Sequence, residues 1–481
     1  MSSLKGNIIL NYINTLSGLI FPVVTFPYAA RVLQPEGIGV VNFQNSIIGY
    51  VVLLTSLGIP LYAVREIAKC RNDENLRNRT MVEITILSVI FALIGYLAVY
   101  VIGVFVPRIQ EELSLFYILS LTIIFTALGV QWFYQGIEDF LFITVRGLII
   151  RFLCAISLFI FVKDKDDLLL YGLVVVGSTV GNNLINFIHL RKYIRFYSIE
   201  WRKLNVTKHI KPAFRIFMLT VITSIYVQLN TIMLGFMVDD RSVGLFTAGY
   251  KLTHILVSVV TSLGTVMLPR CSHLIGERKF DEFNNVIKKS YHFMMFMSIP
   301  LTLGIMMMAR PITILFCGAD YIDAVPVVIF TAPVIIFIGL TNIIGIQVLY
   351  PYSKENIVII STLVAAVLNI FLNLLLIPLF SEAGSAISLL LSEFSVLLVQ
   401  IALGKKYIPF TIIDNNIRNY ILGTVIMSLC ITLTFIVNNE WLRIFIGSII
   451  GATVYLSLLY KSHDYILQDC LSLLLKKIKR T

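Results

Sequence analysis

The chain has 481 residues, of which 58% are hydrophobic and only 14% charged, and its mean hydropathy is +0.88; so little polar surface cannot cover a water-soluble globule of this size. Lys and Arg number 38 against 27 Asp and Glu, a net charge of +11, and the placement of those charges excludes a nucleic-acid binder. Six cysteines, Cys70, Cys154, Cys271, Cys317, Cys430 and Cys470, are scattered without CxxC spacing, so no disulfide framework, metal site or cofactor is expected.

Apolar windows long enough to cross about 30 Å of hydrocarbon fall, in chain order, at 8–30, 38–62, 81–106, 113–135, 141–162, 168–190, 214–237, 243–268, 290–309, 326–350, 357–379, 384–404, 419–437 and 442–460. These make about fourteen expected transmembrane helices, and the alternating pattern of a β-barrel is missing. Helices satisfy their own backbone hydrogen bonds in lipid, so the expected class is an all-α polytopic membrane protein. The first window resembles a signal peptide in position, but it carries Asn11 and Asn14 and runs almost directly into a second window. It is read as a retained span.

An even number of spans puts both termini on one side. With that side cytoplasmic, about 28 Lys and Arg lie in cytoplasmic segments and about 7 opposite, which is the positive-inside asymmetry. The densest basic cluster is the linker RKYIRFYSIEWRKLNVTKHIKP at 191–212, and LSLLLKKIKRT closes the sequence, suited to an anionic inner leaflet. The other three basic residues, Arg146, Arg151 and Lys251, fall inside spans.

An internal repeat is visible. TSLG stands at 55–58 and again at 261–264, Gly39 is matched by Gly244, and Arg65 by Arg270, an offset of roughly 205 residues. In both copies a polar turn, QPEGIG or DDRSVG, opens a span that carries TSLG late. Six spans separate the copies, so the two halves are parallel in topology, as in transporters that rock about a central site. The expected organisation is two pseudo-symmetric six-helix lobes, 1–212 with its basic linker and 213–404, followed by two C-terminal helices and a basic tail at 405–481.

The stretch PYAARVLQPEGIGVVNF at 27–43, followed by LGIPLYAVREIAKCRND at 57–73, resembles the start of Wzx-type polysaccharide flippases of the multidrug/oligosaccharidyl-lipid/polysaccharide exporter superfamily. The likeness continues through VGLFTAGYKL, MLPRCSHL, FCGADYIDAVPVV, IQVLYPYSKEN and LNIFLNLLLIPLFSEAGSAISLLLSE, and covers about residues 5–404. One departure is SEAG at 381–384, where relatives often show YGA. The resemblance implies alternating access in a bacterial inner membrane and an undecaprenyl-diphosphate-linked oligosaccharide as substrate. Membrane lipids and other polysaccharide-assembly membrane proteins are the implied partners.

A diphosphate headgroup needs fixed positive charge inside the bilayer, and the arginine fork suits phosphate oxygens. Arg151 lies about ten residues into the fifth span, beyond easy reach of either surface, and is the first candidate. Arg146 lies nearer the cytoplasmic end of that span and either faces the cavity or snorkels to the interface; the two are about 140° apart around the helix. Lys251 and His254, about 60° apart in span eight, either line the second lobe or serve as an anchor and a helix link. Arg31 closes span one and reads as a mouth residue or an interfacial anchor.

Glu393 is the clearest carboxylate within a span, either an ion-coupling group or a structural partner. Polar residues such as Asn14, Gln131, Asn369 and Asn373 suit sugars, though such residues commonly link helices. A multidrug or cation antiporter of the same superfamily is the nearest alternative, but span one has no Asp or Glu. A membrane polymerase or ligase is the other; the outer connections are short and offer no acid–base pair. The expected class is a transporter and not an enzyme.

Overall fold

The computed structural model describes residues 4–194, 201–224 and 228–478, and every regular element among them is helical. The chain divides into two units, residues 1–244 and 245–481.

The first unit holds α1 (Leu4–Ser56), α2 (Ile59–Cys70), α3 (Glu74–Phe105), α4 (Pro107–Gln110), α5 (Leu113–Leu128), α6 (Gln131–Gly136), α7 (Phe140–Phe161), α8 (Leu168–His189), α9 (Ile210–Ser224), α10 (Leu229–Met237) and the start of α11 (Asp240–Gly276). Within it α1 packs on α3, α5 and α7, while α8 packs on α5 and α7. The second unit contains the rest of α11, then α12 (Phe280–Met307), α13 (Ala309–Cys317), α14 (Val325–Thr331), α15 (Val334–Asn342), α16 (Glu355–Gly404), α17 (Asn415–Thr432), α18 (Glu440–Lys461) and α19 (Tyr465–Ile478). Here α12 packs on α15 and α17, and α16 on α14 and α15.

Among the described residues ten helices are long and apolar enough to cross a membrane, or eleven when the bent pair Ala319–Thr331 and Val334–Leu349 is one span. Two of the ten are double. α1 breaks at Gln34, whose φ of 60° and ψ of 177° belong to a backbone region that only glycine occupies easily. Pro35 explains the break, because a residue before proline is driven to extended ψ and cannot stay helical. α16 breaks at Ser381, φ 48°, inside the SEAG departure. The expected span at 214–237 contains residues 225–227, which lie outside the description.

Carboxylate and amide caps start several of these helices. Asp73 accepts from the Leu76 amide at 3.0 Å, Asp139 from Phe142 at 3.2 Å, Asp414 from Ile417 at 3.0 Å and Asn439 from Trp441 at 2.9 Å. Each satisfies a backbone donor that the first helical turn leaves open.

Burial is inverted relative to a soluble protein. Phe105 is 74% exposed and Ile436 83%, and Leu93, Leu97, Phe371, Leu379 and Leu422 are also outward. Polar groups go inside: Asn369, Asn373, Ser385, Ser388 and Ser392 are fully buried, and Asn373 donates to Asn369 at 2.9 Å. Apolar surface outside and hydrogen-bonded polar groups between helices is the arrangement that a multi-pass membrane protein requires.

The repeat takes two conformations. The first TSLG ends α1, with Leu57 and Gly58 both at positive φ, and α2 restarts at Ile59. Gly58 abuts the backbone of Ala213 and Phe217 on α9, where a Cβ has no room. The second TSLG stays inside continuous α11, and Gly264 instead accommodates the side chain of Asn342.

Candidate functional site

In the first unit the basic side chains of α7 reach opposite neighbours. Arg151 donates through Nη1 to the Asn14 carbonyl at 3.1 Å, to Asn14 Oδ1 at 3.0 Å and to Ser17 Oγ, crossing from α7 to the first half of α1. Small residues allow that approach: Gly147 lies against Asn14, and Gly18 against the guanidinium. Thr144 adds a bond to the Leu10 carbonyl at 3.0 Å, fixing α7 along the same helix.

Arg146 turns the other way. Its Nη1 donates to the Asn182 carbonyl and its Nη2 to Gln131 Oε1, both at 3.3 Å, and its guanidinium lies 5.6 Å from the centre of the Phe142 ring. It is 6% exposed, whereas Arg151 is half-buried. Arg146 therefore ties α6, α7 and α8 together just after the break at Val130, φ 37°, where Asn186 takes up the freed Gly129 carbonyl at 2.6 Å. Among the described residues neither guanidinium meets a carboxylate within ion-pair distance.

Arg31 is exposed, three residues before the α1 break. A cavity of about 380 Å³ opens elsewhere in this unit, lined by Tyr50, Ser56, Pro60, Leu61 and Gln228 among others. None of the basic residues singled out from the sequence lines it.

In the second unit Lys251 is half-buried and His254 exposed on α11. His254 packs against Tyr250 with ring centres 5.3 Å apart, and Tyr250 stacks on Phe246 at 5.9 Å and 2°. Glu393 on α16 is 4% exposed, and its charge acts on Tyr250. The opposite face of α11 packs inward: Gly249 meets Val327, and Thr253 Oγ1 bonds Thr331 Oγ1 at 3.1 Å.

Two buried networks escaped the sequence reading because their members are far apart in the chain. Fully buried Glu83 receives Lys208 Nζ at 2.6 Å, the Asn205 amide at 2.7 Å, Arg79 Nε at 2.9 Å and His209 Nε2 at 3.0 Å. His209 Nδ1 in turn meets Tyr62 Oη at 2.7 Å. The basic linker is thus anchored by a carboxylate in α3, and burial pushes the His209 imidazole below its ordinary value despite Glu83. In the second unit His292 bridges Asp414 at 2.6 Å and the Tyr465 hydroxyl, joining α12, the start of α17 and α19.

Comparison with known proteins agrees with this architecture. A family model described as polysaccharide biosynthesis protein matches residues 4–275, and one described as MatE matches 216–375. An Escherichia coli protein named "Putative O-antigen transporter" is 24% identical over 393 residues, covering 81% of this chain and 94% of that protein. A solved structure of the lipid II flippase MurJ in an inward closed conformation superposes with a TM-score of 0.71 at 18% identity, covering 96% of this chain and 99% of that one. An inward-facing multidrug resistance MATE family transporter of the MOP superfamily superposes with a TM-score of 0.62 at 15% identity, covering 83% and 97%. The resemblance carried by PYAARVLQPEGIG and the strings after it is borne out by these relatives, which are named as transporters and flippases. With its first 275 residues spanned by that model almost from the start, the chain belongs to the polysaccharide biosynthesis protein family.

Proposed function

We propose that this protein is a flippase carrying a lipid-linked oligosaccharide from the inner to the outer leaflet, with undecaprenyl diphosphate as the carrier lipid. The setting is a bacterial inner membrane, with both termini cytoplasmic and other polysaccharide-assembly membrane proteins supplying and consuming the substrate. Residues 1–212 and 213–404 act as the two halves of an alternating-access transporter, and 405–481 are appended to them.

One observation carries the reading: α7 holds two guanidinium groups within the membrane on neutral partners alone. A basic residue at the centre of a span costs about 2.5–3.5 kcal/mol on insertion scales. Amide and hydroxyl partners lower that cost without cancelling the charge, and a diphosphate cancels it. Arg151, half-buried, meets the headgroup; Arg146 sets the local positive potential; Lys251, His254 and Arg31 continue the polar route.

Removing the protein from its host and fractionating lipids tests this. Complete lipid-linked units are expected to accumulate on the cytoplasmic leaflet while surface polysaccharide falls. Complete units reaching the outer leaflet unpolymerised would favour a polymerase or ligase instead. A second reading, cation antiport, rests on Glu393 buried inside α16; efflux of a cationic dye with an unchanged lipid pool would select it.

A further inference from the structure

α11 is two-faced along its whole second-unit length. Gly249, Thr253, Val257, Val260 and Gly264 form the face that packs on neighbouring helices. Thr247, Lys251, His254, Ser258 and Ser262 recur at spacings of three and four and fall within an arc about 100° wide on the other side. From Thr247 to Ser262 this stripe runs about 22 Å along the helix axis, most of the thickness of the hydrocarbon layer.

His254 and Ser262 are exposed and Lys251 and Ser258 half-buried. Exposed groups of this polarity do not face hydrocarbon; in a spanning helix they line water. The stripe's chemistry is that of a carbohydrate surface. The Ser258 hydroxyl donates to the His254 carbonyl at 2.9 Å, which turns its oxygen outward as an acceptor. Lys251 and His254 add donors, and the Phe246, Tyr250, His254 ladder supplies ring faces against which the apolar C–H face of a pyranose packs.

The electrostatics separate this surface from the one on α7. Glu393 sits close enough to act on Tyr250, so an anion approaching this end of the stripe meets a carboxylate. Arg146 and Arg151 meet none.

We propose that the substrate is recognised in two parts, the diphosphate by Arg151 of α7 and the sugars by the polar face of α11, with Tyr250, His254 and Ser258 as the sugar-contacting residues. This rests on the flippase reading and adds to it a division of labour. The stripe, continuous across the bilayer, offers the sugar chain successive hydrogen-bond partners of one kind, so no single position holds it.

The test uses the full chain in lipid nanodiscs and two probes: undecaprenyl diphosphate, and undecaprenyl diphosphate bearing one N-acetylhexosamine. Ser258→Ala with His254→Asn is expected to weaken the glycosylated probe about tenfold, the worth of one or two lost hydrogen bonds, and to leave the bare probe unchanged. Arg151→Gln is expected to weaken both probes alike. Tyr250→Leu, which removes the ring but keeps an apolar side chain, is the second variant and follows the first pattern. Equal losses on both probes, or no loss on either, in the α11 variants overturns the division. Failure of the unaltered protein to bind either probe removes the flippase reading itself, and the two failures are thereby distinct.

Discussion

Glu36 and Arg241 stand at the same position in the two copies of the repeat, 205 residues apart, and their side chains meet in a 2.9 Å ion pair. The surroundings are reciprocal: Gly39 lies against the Asp240 carbonyl, and its counterpart Gly244 lies against the Pro35 carbonyl. Both pairs belong to the turns that open a span, and Arg108 holds the second turn through Asp240 at 2.9 Å. A self-complementary contact between equivalent residues is what a two-fold relation between repeats produces.

The glycines matter more than the charges. Gly39→Ala or Gly244→Ala pushes a methyl into a facing backbone carbonyl, and overpacking of this kind costs about 1–3 kcal/mol. Each variant is expected to melt at a lower temperature in detergent than the unaltered protein. An unchanged melting point in both would show that these turns separate freely.

The ion pair itself is roughly half exposed on both sides, so its contribution is about 0.2–1 kcal/mol. Glu36→Arg and Arg241→Glu each place like charges together and are expected to lower the melting temperature slightly. The combined exchange restores it. A double variant as weak as the sum of the singles would remove the pair from the account.

Arg151→Gln and Arg146→Gln are expected to separate transport from stability. Arg151 is half-buried and bonded to one helix, so its loss lowers flipping in proteoliposomes by about tenfold or more, the worth of a charge-assisted hydrogen bond, at near-normal melting temperature. Arg146 is buried among three helices, so its loss lowers the melting temperature first. The reverse ranking would exchange their roles.

Glu83 carries a stability and pH prediction. Glu83→Gln leaves Arg79, Lys208 and His209 without their shared anion. Arg79 and Lys208 are more than a third exposed and regain water, so the loss lies below the about 3–5 kcal/mol typical of breaking a fully buried pair. His209 is held below its ordinary value of 6.5, chiefly by burial. Its neutral form therefore contributes stability above pH 6.5 that is lost as pH falls from there through the lowered folded value. Melting curves taken downward from pH 8 are expected to show this loss, and His209→Gln to flatten it.

Much of the fold is legible in the sequence because hydropathy and helix length answer directly to the bilayer. The halves of α1 are separable in advance because Pro35 forces its neighbour extended; the break at Ser381 has no such marker, and the prolines at 22, 27, 300 and 378 lie inside helices that continue through them. Identical TSLG segments end one helix and continue another, so a four-residue pattern does not decide its own conformation; the packing partner does. At the candidate site, Arg146 and Arg151 are visible as charges in an apolar run, and their angular separation follows from helix geometry. Their partners Asn14, Ser17, Gln131 and Asn182 are not visible in that run, since spans this far apart in sequence meet only through tertiary packing. The Glu83 and His292 networks were hidden for the same reason.

The bridge from His292 to Asp414 and Tyr465 makes α19 a handle. A protein that grips this amphipathic helix at the membrane surface holds α12 and the start of α17 through one imidazole. Force or restraint applied there enters two membrane helices at once, so an assembly partner on the cytoplasmic side has a rigid lever on the second unit without touching the substrate path.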